Sequence, residues 1–130
     1  MALNILVADD SIIARSVILK TLRLIDVELG EMHQAVNGRE ALDILEKHWI
    51  DLLFLDINMP IMNGEEVIET IRKNPLWADL PIVVVSTEGS ETRIERLINL
   101  GAKFIHKPYT PEAIRNIVLK IIGGVAHERP

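Results

Sequence analysis

Residues 51–60, DLLFLDINMP, set four apolar residues in a row and then stop on a carboxylate, Asp56, with Asn58 and Pro60 close behind. A short apolar run bounded by an acid and a proline reads as a buried strand. Its ending admits two readings. Asp56 is either a polar surface termination or an acid held at the rim of a sheet to do chemistry, and position 56 alone does not decide between them.

Three further runs resemble it: NILVA at 4–8, PIVVV at 81–85 and KFIH at 103–106, with a weaker MHQAV at 32–36. Segments of helical periodicity lie between them. Five alternations of strand and helix predict an α/β fold, a doubly wound parallel sheet of five strands with five helices on its two faces. Capping residues fix the expected helices. Ser11 opens a helix over 12–29, with Ile13, Val17 and Leu24 at helical spacing and Gly30 as its stop. Asn37 and Glu40 form a capping-box-like start for the second, and Gly64 opens the third after Asn63. Ser90 caps the fourth, which Gly101 ends in the left-handed conformation. Thr110 and Pro111 open the fifth, expected to close at Gly123 and Gly124.

Composition narrows the functional classes. A chain of 130 residues is sized for one core, and with 48% apolar but only 4% aromatic residues that core must be built mainly from Ile, Leu, Val and Ala. A net charge of -5 argues against direct binding to nucleic acid. The absence of cysteine excludes disulfides and thiolate metal sites. His33, His48, His106 and His127 are scattered without an i, i+4 pair, so no zinc site is expected. MALNILVADD lacks the charged start of a signal peptide, and no apolar run nears the ~20 residues that span a bilayer. The expected location is the cytoplasm, with no membrane association.

The ends of the strands recur in kind. The first run ends in Asp9 and Asp10, the third in Asp56, the fourth in Ser86 and Thr87, and the fifth reaches Lys107. In a parallel sheet all carboxyl ends share one edge, so these groups converge. If the first strand neighbours the third, and the fourth and fifth follow, Lys107 starts ~14 Å from the first strand, a distance its long stem suits. Three crowded carboxylates repel one another, which a hard divalent cation such as Mg²⁺ relieves. Asp56 is then a candidate nucleophile for a phosphoryl group, with Lys107 and the Ser86 hydroxyl stabilising its oxygens. Singly, each group has an ordinary reading as helix cap, turn hydroxyl or solvated cation. Their conjunction in order carries the argument.

With VADDS, LDINMPIMNG, VVVSTE and FIHKPY in view, residues 3–122 resemble a response-regulator receiver domain of the chemotaxis-regulator (CheY-like) type. The resemblance implies a flavodoxin-like strand order 2-1-3-4-5. It implies Asp10 as a direct Mg²⁺ ligand, Asp9 acting mostly through water, Asp56 as phospho-acceptor and the Asn58 backbone carbonyl as a further ligand. It also implies Ser86 and Phe104 as the switch pair, and a cis bond between Lys107 and Pro108. Phe104 stands where many relatives have tyrosine, and so offers no hydroxyl to a partner. In this family the face of the fourth helix, fifth strand and fifth helix meets the partner, which makes Arg93, Glu95 and Arg96 interface candidates.

The function so implied is a phosphorylation-driven switch in two-component signalling, a phosphoprotein rather than an enzyme. A histidine kinase or phosphotransfer protein would supply the phosphoryl group and a downstream protein would read it. Residues 1–124 form the expected receiver domain and 125–130 a tail or the start of a linker. A stand-alone regulator is the expected organisation, with a fragment of a longer regulator or hybrid kinase as the alternative. A Mg²⁺-dependent phosphohydrolase would favour an acid two residues after its nucleophile, where this chain has Asn58. A flavodoxin-like cofactor module would favour phosphate-binding amides and hydroxyls where this chain has DDSIIAR. His106 is expected to be a packing or surface residue, and Trp77 a packing plug.

Overall fold

The computed structural model describes residues 2–128, from residue 124 onward as backbone alone. Five strands alternate with five helices: β1 (Leu3–Ala8), α1 (Ile12–Leu24), β2 (Leu29–Ala35), α2 (Gly38–Lys47), β3 (Leu52–Leu55), α3 (Gly64–Lys73), β4 (Ile82–Ser86), α4 (Glu91–Asn99), β5 (Lys103–His106) and α5 (Pro111–Glu128). The strands pair in parallel in the order β2-β1-β3-β4-β5, the order the resemblance implies. Because consecutive strand residues point to opposite faces, the sheet supports two cores. Leu6, Ala8, Leu53, Leu55 and Val84 pack with Leu42 of α2, Ile68 of α3 and Leu97 of α4. Ile5, Val7, Phe54, Val83 and Val85 pack with Leu22 of α1 and Val118 of α5. Both faces of β3 and β4 are covered, which is why LLFL and IVVVS show no polar alternation.

The caps at Ser11, Asn37, Ser90 and Thr110 each accept a backbone N–H from the first turn of their helix. Gly101 has φ +86°, as its role of helix stop requires. The reciprocal capping box falls elsewhere than at Asn37. Glu40 reaches back to the Val36 N–H, whereas Asn63 and Glu66 cap each other fully at the start of α3.

Three expectations are corrected. α1 ends at Leu24, five residues short of 29, and its buried face is Ile18, Leu19 and Leu22, while Ile13, Val17 and Leu24 are exposed at 73%, 45% and 79%. The apolar residues on this helix occupy more than one stripe, so their spacing marks a helix without choosing which stripe is buried. Gly30 is a strand residue, not a helix stop. The Asn4 side-chain oxygen lies against it, so a Cβ at this position would have to displace Asn4, whose amide bonds Glu31 and Trp49. Finally, Gly123 and Gly124 do not close the last helix, which continues to Glu128. Glycine costs a helix only about 1 kcal/mol, which other helical residues offset. Of the tail expected over 125–130, residues 129 and 130 lie outside the described residues.

Candidate functional site

The register Ala8↔Leu55 between β1 and β3 sets the next residue of each strand, Asp9 and Asp56, side by side at the carboxyl edge. One oxygen from each of Asp9, Asp10 and Asp56 lies within 4.8 Å of the others. Asp9 is buried and Asp10 exposed, so one acid is built into the fold and the other faces the solvent. Asp9 Oδ1 accepts the Ser11 N–H at 2.9 Å, while its Oδ2 accepts from Lys107 Nζ at 3.2 Å. The Lys107 ammonium also lies 3.9 Å from Asp56 Oδ2. Lys107 is delivered there by β5, whose ladder continues through its N–H to the Ser86 carbonyl, and the Lys107–Pro108 bond that follows is cis.

Burial raises the Asp56 carboxyl above its ordinary value of 3.8, and the neighbouring Asp9 charge adds to this. The Lys107 ammonium, the Ile57 N–H and the Ser86 hydroxyl oppose the rise without cancelling it. An acid with a raised pKa, beside two more acids and one fixed ammonium, is a site short of positive charge. The donor set is all oxygen, which suits a hard cation such as Mg²⁺. Ser86 is fully buried, with its Oγ accepting the Glu88 N–H at 3.2 Å. Asn58 is exposed in the loop after β3. That loop turns tightly at Ile61, where φ is +69° and the Met62 N–H donates to the Pro60 carbonyl. Positive φ is costly for a β-branched residue, and here it lies five positions after Asp56.

Phe104 is half-buried against the α2–α3–α4 core and meets His106 edge to face, with ring centroids 4.7 Å apart. His106 is exposed and lies on the strand face opposite to that of Ile105, as alternation requires. Of the interface candidates, Glu95 and Arg96 are exposed and Arg93 is half-buried, and both arginines reach a carboxylate of α3. Arg93 pairs with Glu65 at 3.3 Å and Glu88 at 3.1 Å, and Arg96 pairs with Glu65 at 3.4 Å. Trp77 packs half-buried on the core, and with Trp49 it lines a cavity of about 600 Å³ at the amino edge of β3 and β4, away from the acids.

Sequence reading missed Arg15. It is buried in α1, donates to the Asp9 carbonyl at 2.7 Å and to Gln34 Oε1 at 2.9 Å, and so ties the acidic turn to β2. Only its place one turn after the Ser11 cap could have suggested it.

A doubly wound α/β module with an acidic trio and a reaching lysine at its carboxyl edge defines the class of phosphoryl-accepting signalling domains. The family follows directly: residues 5–119 match the response regulator receiver domain, and the chain belongs to that family. The chain is thus a receiver of two-component signalling, CheY-like in fold and sequence. It is 32% identical to a chemotaxis protein CheY homolog of Campylobacter jejuni over 123 residues, 93% of each chain. The structure of chemotaxis response regulator CheY4 of Vibrio cholerae superposes with a TM-score of 0.82 at 30% identity, covering 93% of this chain and 99% of that one. A CheY-like receiver domain protein of Methanospirillum hungatei, 23% identical over 99% of this chain and 100% of that one, shares the fold with a TM-score of 0.87. No helix among the described residues is long and apolar enough to cross a membrane.

Proposed function

We propose that Asp56 is the phospho-acceptor of this receiver, taking its phosphoryl group from a histidine kinase or a phosphotransfer protein. The observation that carries this reading is the Lys107 ammonium set between Asp9 and Asp56, with Asp10 completing the acidic trio. An Asp56 oxygen attacks phosphorus, the donor's P–N bond breaks as the new P–O bond forms, and the imidazole leaves with the bonding electron pair. Lys107 stabilises the charge that gathers on the phosphoryl oxygens. Asp10, Asp56 and the Asn58 carbonyl would hold Mg²⁺, with Asp9 acting through water. When bound, the ion neutralises the crowded carboxylates and the incoming phosphoryl group.

Ser86 then turns its hydroxyl towards a phosphoryl oxygen and releases the Glu88 N–H, which loosens the loop after β4. Phe104, half-buried against the core on the next strand, moves further in. Its movement changes the α4–β5–α5 face offered to a downstream protein. Glu95 and Arg96 stand exposed on α4 already, while the half-buried Arg93 becomes available as its pairing with Glu65 and Glu88 loosens. A tenfold shift between two conformations needs only about 1.4 kcal/mol of differential stabilisation. The receiver unit takes in residues 1–124, and 125–130 continue it as a tail or the beginning of a linker.

The test is intact-protein mass after incubation with Mg²⁺ and acetyl phosphate. The expected result is one phosphoryl group on the wild-type chain and none on Asp56→Asn. Equal labelling of both would overturn the assignment.

A further inference from the structure

Two histidines that lie 15 positions apart in sequence meet in the fold. Glu31 and His33 stand two residues apart on the edge strand β2, so strand alternation turns both to one face, and His48 is the C-cap of α2. The imidazoles of His33 and His48 stack with centroids 4.2 Å apart and planes inclined by 33°. Each turns a nitrogen to the same oxygen: His33 Nε2 lies 2.9 Å and His48 Nδ1 3.7 Å from Glu31 Oε1.

We propose that Glu31, His33 and His48 form a second metal site, for a divalent transition ion of the zinc class, distinct from the acidic pocket. Two imidazole nitrogens and one carboxylate oxygen are a zinc donor set, and ligands ~2.1 Å from a tetrahedral ion stand about 3.4 Å apart. The three ligand atoms here lie within 4.8 Å of one another, so small side-chain rotations close them on an ion. A carboxylate–imidazole hydrogen bond accounts for Glu31 and His33, but not for His48 presenting its nitrogen to the same oxygen.

The backbones that carry the ligands are already tied together. Asn4 Oδ1 accepts the Glu31 N–H at 2.8 Å, and its Nδ2 donates to the carbonyl of Trp49, the residue after His48, at 3.1 Å. A site whose supporting backbone is fixed spends little binding energy on ordering it. Three protein ligands at an exposed position leave a fourth for water. Magnesium prefers oxygen donors and zinc accepts nitrogen, so the two sites sort their ions by ligand softness. The zinc-class ion clamps the edge strand to the end of α2.

Zinc titration of the full chain by calorimetry, with Mg²⁺ in excess to fill the acidic pocket, tests the site. Wild type is expected to bind one Zn²⁺ and to melt at a higher temperature with it. His48→Ala and Glu31→Gln, both at exposed positions, are expected to weaken zinc binding about tenfold or more. Both should still accept phosphate from acetyl phosphate like wild type, which also shows that they are folded. The proposal is overturned if wild type binds no zinc, if the two variants bind it equally well, or if Asp10→Asn abolishes the binding instead.

Discussion

The Lys107 ammonium donates to Asp9 Oδ2 at 3.2 Å, joining residues 98 positions apart. Asp9 is buried and has its other oxygen on the Ser11 N–H, so it holds the lysine as a fixed anchor. The acid proposed to react, Asp56, is second in reach at 3.9 Å. The ammonium is therefore positioned before any phosphoryl group arrives, and needs only a short swing to meet one.

Lys107→Ala removes that positioned charge while leaving the acceptor intact. Loss of one preorganised donor to a developing oxyanion costs about 10²–10³ in rate in well-studied sites, and a donor only half-buried, like Lys107, less. Phosphorylation of the variant by acetyl phosphate in Mg²⁺, followed by mass, is expected to be at least about tenfold slower than wild type. A rate equal to wild type would remove Lys107 from the mechanism.

Asp56→Asn should make the fold more stable while abolishing phosphorylation. The folded chain raises the Asp56 pKa above 3.8, chiefly by burial, so folding favours the protonated form. That contribution is fully present below the ordinary carboxylate value and is lost as pH rises through the raised one. At neutral pH the ionised acid therefore weighs against folding. Without Mg²⁺, the variant is expected to melt a few degrees above wild type at pH 7, and the gap should narrow as pH falls towards the ordinary carboxylate range. A gap that widens at low pH would show the sign to be wrong.

Arg72 is a structural tie. From α3 its guanidinium donates to the carbonyls of Leu100 at 2.6 Å, Ala78 at 3.0 Å and Leu80 at 2.8 Å, joining the end of α4 to the approach to β4. Burial lowers its pKa, the mark of a cation held away from water. Arg72→Ala orphans these acceptors and should cost about 2–3 kcal/mol in urea unfolding. Arg72→Lys should recover only part of this, because an ammonium cannot reproduce the planar fork. Full recovery by lysine would show that charge alone matters.

Gly64 opens α3 against the backbone of Asp56, the proposed acceptor. A Cβ there would be driven into the Asp56 carbonyl oxygen and the Ile57 backbone, neither of which can yield as a flexible side chain would. Gly64→Ala is expected to lower the melting temperature and slow phosphorylation together. Gly89→Ala, which meets nothing within 4 Å, should do neither by this route and serves as the control.

The strands were legible because LLFL and IVVVS are short, largely apolar and covered on both faces, and all five helix starts carry a Ser, Thr or Asn cap that local chemistry alone makes readable. Polar endings at Asp9, Asp56, Ser86 and Lys107 announced a shared edge, since parallel pairing sends every carboxyl end the same way. The buried face of α1 was not legible, because apolar residues on more than one stripe leave the choice of stripe to the sheet it meets. Gly30 was misread because its constraint is the Asn4 side chain, which comes from another strand.

By itself the sequence determined the element types, the caps and the identity of the chemical groups, all of which depend on neighbours within a few residues. Tertiary structure alone decided that Lys107 rests on Asp9, that Arg15 braces the acidic turn and that His33 meets His48. Those contacts join distant segments, and their distances follow from sheet register and helix packing, which no local stretch encodes.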